Sequence, residues 1–152
     1  MLWLIYNSEV ILSACFSVII FTVFNVSVNL NANLLMNIGP QPDGCLPEVA
    51  VDRLKKVGEW MNTYGETIYG TRGGIVAPHP WGVTTQKQNR LFVHILNLKD
   101  KALFLPTGNV RIKKAIDFVT RQPVRMQKCE GGILLTLNQV PTCVDKVLEL
   151  EL

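Results

Sequence analysis

The hydrophobic period of this chain changes part-way along it, and that change limits the fold more than any other feature. Asn33-Leu34-Leu35-Met36-Asn37 is a short apolar run between turn residues, the pattern of a buried parallel strand. Ile38 to Gly44 holds two prolines and two glycines in seven residues, which excludes helix and strand and predicts a fixed turn. Pro47 is placed to open a helix, where its missing N–H costs nothing. Glu48 and Asp52 suit the positive end of the helix dipole, and Gly65 is placed to close it after Tyr64. Ala50, Val51, Leu54, Val57, Met61 and Tyr64 recur at three- and four-residue steps and form one stripe. Strand, loop and amphipathic helix make one βα unit.

Beyond Trp81 the period falls to about two, with turn signals every ~8–12 residues, which predicts an antiparallel sandwich or barrel. The expected strands are Trp81–Gln86, Arg90–Leu96, Ala102–Leu105, Val110–Val119, Val124–Lys128, Ile133–Asn138 and Lys146–Leu152. Gln88-Asn89, Lys99-Asp100 and Glu130-Gly131-Gly132 supply turns between them. In the last strand Val147, Glu149 and Glu151 alternate with Leu148, Leu150 and Leu152, which predicts one largely wet face and one core face.

A chain of 152 residues is too short for a full (β/α)₈ barrel, which needs ~250. Its 48% apolar and 18% charged residues suit a packed core rather than disorder. The net charge of +3 is small and its lysines and arginines are scattered, so nucleic acid is not an expected partner. Glu9 is the only Lys, Arg, Asp or Glu before Asp43. The uncharged run from Val10 to Val28 is long enough to cross a bilayer, so membrane association through residues 10–28 is one reading. No basic residue precedes the run, as a secretory signal or the positive-inside rule would want. A buried helix or strand is the other reading. Cys15, Cys45, Cys129 and Cys143 form no metal-ligand spacing and predict neither zinc nor any other metal site; Cys129 and Cys143 are expected to be free, buried thiols.

Taken in order, Asn33-Leu34-Leu35-Met36-Asn37-Ile38-Gly39-Pro40, Pro42-Asp43-Gly44, Pro47-Glu48, Gly58-Glu59-Trp60-Met61-Asn62 and Gly65-Glu66-Thr67-Ile68-Tyr69-Gly70-Thr71-Arg72 resemble the segment that ends the barrel of retaining α-L-fucosidases. Trp81-Gly82-Val83-Thr84-Thr85-Gln86-Lys87 and Leu91-Phe92-Val93-His94-Ile95-Leu96 are similar to the start of the sandwich that follows, notably in Bacteroides-type members. The resemblance covers about residues 33–152. It implies a mainly β fold, with a C-terminal antiparallel β-sandwich preceded by a single βα unit from the end of a (β/α)₈ barrel. Three parts are expected: an apolar segment 1–32 of open role, the barrel's last strand, loop and helix at 33–75, and the sandwich at 76–152.

Members of that family release terminal α-L-fucose with retention, using an aspartate nucleophile and a second carboxylic acid ~5–5.5 Å away. Both lie upstream of the segment matching Asn33, and no residue here matches either, so no catalytic residue and no cofactor are expected. Asp43, after the last barrel strand, is the one substrate-side candidate, at the rim of the parental pocket; a turn carboxylate binding backbone N–H groups is the plainer role. His79 and His94 are expected to be structural or solvent-facing, Trp60 to pack at the edge of the helix stripe, and Trp81 to anchor the sandwich. The resulting expectation is a truncated fucosidase fragment, non-catalytic without the barrel, with fucosylated glycans as the parental partners. The alternative is a stand-alone carbohydrate-binding or membrane-tethered sandwich. The unpartnered helix stripe also predicts self-association. The resemblance implies a periplasmic or secreted location and leaves membrane association open.

Overall fold

The computed structural model describes the backbone of residues 2–4 and residues 26–30, 32, 34–143 and 145–152 in full. Strand β1 (Leu2–Leu4) lies parallel to β2 (Leu34–Met36), with Leu2 opposite Leu34 and Leu4 opposite Met36. The apolar run around Leu34 thus forms a parallel strand. It is not buried as expected, since Leu35 is 44% exposed.

Helix α1 (Glu48–Tyr64) starts after Pro47, whose ψ of 133° lies outside the helical range. Gly65 does not close it with a left-handed turn. Its φ of −55° carries the chain into a 3₁₀ turn, Gly65–Thr67. A Cβ there would sit 3.0 Å from the edge of the exposed Tyr69 ring, a tight contact that a small shift of the ring would relieve. The left-handed residue comes later, at Gly70 with φ 71°.

Eight strands follow: β3 (Arg72–Gly73), β4 (Gly82–Lys87), β5 (Arg90–Ile95), β6 (Ala102–Leu105), β7 (Lys114–Asp117), β8 (Arg125–Cys129), β9 (Gly132–Thr136) and β10 (Lys146–Glu151). They form an antiparallel five-stranded sheet, β3-β4-β5-β10-β7, and an antiparallel three-stranded sheet, β6-β9-β8. Each strand expected beyond Trp81 is present, and the mainly β fold with a sandwich after a βα unit holds. The run Val110–Val119 contracts to β7 because Asp117 bends the chain. Its Oδ1 accepts the N–H groups of Val119 and Thr120 at 3.0 and 2.8 Å, which replaces ladder bonds with a turn. Strand β3 was too short to register as a period.

The main core lies between the two sheets. Leu91, Val93, Ile95, Leu148 and Leu150 point from the larger sheet toward Leu103, Leu105, Ile133, Leu135 and Leu137 of the smaller one. The opposite face of the larger sheet is wet only in part, at Glu151 and Lys114, whereas the alternation in β10 predicts it largely wet. Helix α1 covers part of this face: Tyr64 packs against Phe92, Phe118 and Val147, which is 1% exposed. The pleat places Val147 and Glu149 outward from the sandwich, but the next layer makes that side interior at Val147.

The end of the apolar front is part of this layer. Residues 26–29 are helical, with Ser27 and Asn29 buried. Val28 packs against the cluster of Trp60 and Ile68. Asn29 Nδ2 donates to the Thr84 carbonyl at 2.6 Å. Among the described residues no helix is long and apolar enough to cross a membrane. Glu9, Cys15 and all of the 10–28 run except 26–28 lie outside the described residues.

Candidate functional site

Because β1 and β2 are parallel, the connections leaving them emerge at one end of the pair, the end where (β/α)₈ barrels build their sites. The connection after β2 is tied to itself: Gln41 N–H donates to the Cys45 carbonyl and Gly44 N–H to the Gln41 carbonyl, both at 2.8 Å. Gly44 has φ 82°, which a side chain would strain. Asp43 is exposed, and its Oδ1 accepts the Cys45 N–H at 3.0 Å. It is the only acid between Asn37 and Pro47. The loop offers one carboxylate, already engaged in shaping the turn.

The larger polar groups lie under α1. His94 Nδ1 is 2.9 Å from Asp145 Oδ2, and both side chains are fully buried. On the other side of the ring, Nε2 is 3.3 Å from Thr85 Oγ1, whose hydroxyl donates to the Thr67 carbonyl at 2.6 Å. Trp60 lies across the imidazole with ring centres 6.4 Å apart. The hydroxyl proton is committed to Thr67, so an oxygen lone pair of Thr85 faces Nε2. Enclosed in this way, the pair joins β4, β5, the segment before β10 and the 3₁₀ turn rather than meeting a substrate.

A second network flanks it. Glu149 Oε1 accepts Arg90 Nε at 2.7 Å and Oε2 accepts Arg121 Nη1 at 2.6 Å, while Arg90 Nη1 also pairs with Glu66. Burial pushes the Glu149 carboxyl up, but hydrogen bonds from the two arginines outweigh it and hold it below the usual range. Arg90 is held more firmly charged by the same bonds to Glu149 and Glu66. Asp117 behaves like Glu149: burial raises it, and Lys146 and the Thr120 N–H bring it below its ordinary value. Tyr64 is pushed up to about 12 by burial first, then by the nearby Cys143, Asp145 and Asp117.

The remaining sequence candidates fall into structural places. His79 is exposed and stacks on Trp81, with centres 5.6 Å apart, and Trp81 in turn packs on the main core. Trp60 is 9% exposed and packs on Tyr64, so it offers no platform to a sugar. Cys129 and Cys143 are free, as expected, but not buried: one is partly covered at a hairpin end and the other exposed in a loop. Among the described residues no group of His, Cys, Asp and Glu is arranged to hold a metal ion. Asp145 was missed from sequence because its partner is 51 residues away. Only the β5–β10 register of the folded chain, which sets Val147 opposite His94, brings the two together.

The family model described as Alpha-L-fucosidase matches residues 14–66. Tissue alpha-L-fucosidase of Mus musculus is 29% identical over 131 residues, which is 78% of this chain and 27% of that protein. The structure of alpha-L-fucosidase isoenzyme 1 from Paenibacillus thiaminolyticus superposes with a TM-score of 0.79 at 29% identity, over 89% of this chain and 34% of that one. The chain is related to the α-L-fucosidases. A third relative, the Thermotoga maritima alpha-fucosidase solved in complex with fucose, matches at TM-score 0.71 and 28% identity over 88% of this chain and 33% of that one. This fucosidase relative thus spans about a quarter to a third of the proteins it matches. The family match begins at residue 14, inside the apolar front and ahead of Asn33 where the motif resemblance starts. That agrees with the packing of Ser27, Val28 and Asn29 into the fucosidase-like fold.

Proposed function

We propose that this segment serves as the non-catalytic C-terminal part of an α-L-fucosidase, closing the barrel with β2 and α1 and bracing it with the sandwich. Hydrolysis of terminal α-L-fucose then requires residues supplied by the rest of a barrel. The observation that carries this reading is the single, turn-bound carboxylate at the barrel-end loop: Asp43 has no acidic neighbour between Asn37 and Pro47. A retaining glycosidase needs two carboxyl groups ~5–5.5 Å apart at that end. We place Asp43 at the rim of the pocket, where it shapes the loop that faces the sugar. The Thermotoga relative's complex with fucose supports a fucosylated glycan as the partner of the whole enzyme.

The test is turnover of an aryl α-L-fucoside by the purified chain, from a host lacking fucosidase. The expected result is release of the aryl group at the no-enzyme rate. Release above that rate, abolished by Asp43→Asn, would overturn the reading and make Asp43 a catalytic residue.

A further inference from the structure

A cleft of about 410 Å³ opens between the turn that follows β7 and the connection from β9 to β10. It lies on the sandwich, and the inference drawn from it does not depend on the proposal above. Gln122, Thr136, Asn138, Gln139 and Thr142 line it, and among the described residues none of their side chains makes a hydrogen bond within the protein. These five residues carry three carboxamides and two hydroxyls, each able to donate and accept. Val124 and Leu137 add apolar surface between the polar groups.

Charge narrows the ligand class. Asp117 and Lys146 are the ionisable side chains of opposite sign in the lining, and they pair with each other. Asp117 further spends Oδ1 on the N–H groups of Val119 and Thr120. Neither charge is therefore offered whole to a ligand, and an anion or cation would meet no counter-charge. A neutral molecule bearing many hydroxyls matches amides and hydroxyls that give and take hydrogen bonds in equal measure. The volume is within the ~300–1,000 Å³ typical of small-molecule sites.

We propose that this cleft binds a neutral saccharide residue, as a site on the sandwich separate from the barrel-end loop. Its affinity is weak, with a Kd of roughly 1–10 mM, because each polar group exchanges water for ligand.

Titration of the full, isotopically labelled chain with methyl α-L-fucoside, methyl β-D-galactoside or N-acetylglucosamine tests it by NMR. The expected result is saturable shifts, with at least one sugar, at the amides of Gln122, Asn138, Gln139 and Thr142. Glycerol and sulfate at equal concentration should leave these amides unmoved. Asn138→Ala and Gln139→Ala should each weaken binding about fivefold, with Thr142→Val as a further variant; all three positions are exposed and outside the strands, and far-UV circular dichroism checks that each variant folds. Absence of saturable shifts with all three sugars up to roughly 100 mM, about ten times the weakest expected Kd, would overturn the proposal. Saturable shifts located only elsewhere would do the same, as would equal response to glycerol or sulfate, or binding that all three variants leave intact.

Discussion

Removing one partner of the His94–Asp145 pair should be among the most damaging single changes in this chain. Both side chains are fully buried, and Asp145→Ala leaves the imidazole Nδ1 facing a cavity where it had a carboxylate oxygen at 2.9 Å. Leaving a buried hydrogen-bonding group unsatisfied costs ~1–3 kcal/mol, at the upper end when the partner lost is a carboxylate, so about 3 kcal/mol is expected here. Typical domains hold ~5–15 kcal/mol in total, so the variant should lose roughly a fifth to three fifths of its stability. For a chain of this size ~1 kcal/mol is worth ~2–4 °C, which puts the fall in Tm at ~6–12 °C. His94→Ala should cost a similar amount, since it removes the Nδ1 that faces the Asp145 carboxylate at 2.9 Å. The double variant H94A/D145A removes both groups, so its loss should fall short of the summed single losses by ~2 kcal/mol or more. Urea unfolding of the four proteins, followed by far-UV circular dichroism, gives that coupling directly. If the single losses add to within ~0.5 kcal/mol, the two groups act independently and the reasoning fails.

Trp60→Ala should cost about 3–5 kcal/mol, as expected for a large aromatic in a packed layer, and calorimetry checks it. Gly82→Ala should destabilise by at least ~1–3 kcal/mol, because an added Cβ would lie 1.9 Å from the His94 carbonyl oxygen; a melting temperature equal to the parent's would exclude that clash. Glu149→Gln should cost ~1–2 kcal/mol after allowing for the partly exposed arginines. The sign of its pH dependence follows from the lowered folded-state carboxyl: the stabilisation is complete above the unfolded pKa of ~4.3 and is lost as pH falls through the folded value. Urea midpoints measured from pH 6 downward should therefore show a shallower acid decline in the variant than in the parent.

Strand positions were readable because period-two alternation survives wherever one face meets the main core, as Leu148 and Leu150 illustrate. The same alternation misled about the other face. Val147 sits on the outward side of a strand patterned as half-wet, yet Tyr64 of α1 packs on it, and no local pattern in β10 encodes a helix some eighty residues earlier. The amphipathic stripe of α1 did announce that it covers something, and Tyr64 is where stripe and sheet meet. Burial of Leu34–Met36 was inferred from composition alone, which reports the environment that a strand suits rather than the one it has. Asp43 was correctly placed after a strand, and the Asp-Gly pair beside two prolines signalled its turn chemistry. The His94–Asp145 pair was illegible, since only the three-dimensional register brings it together.

The interface between α1 and the larger sheet is therefore the element that makes the two halves of this chain one object. The main core would hold a two-layer sandwich by itself, but its outer face carries Phe92, Phe118 and Val147, apolar surface that a free-standing sandwich would leave in water. The polar groups on that face are likewise matched to the helical side: Thr85 binds the 3₁₀ turn, Arg90 reaches Glu66 of the same turn, and the Thr84 carbonyl takes Asn29. Apolar contact gives affinity, and the hydrogen bonds fix how the helix sits, since an offset would leave buried polar groups unpaired at ~1–3 kcal/mol each. The period changes between the βα unit and the sandwich, but the packing crosses that change.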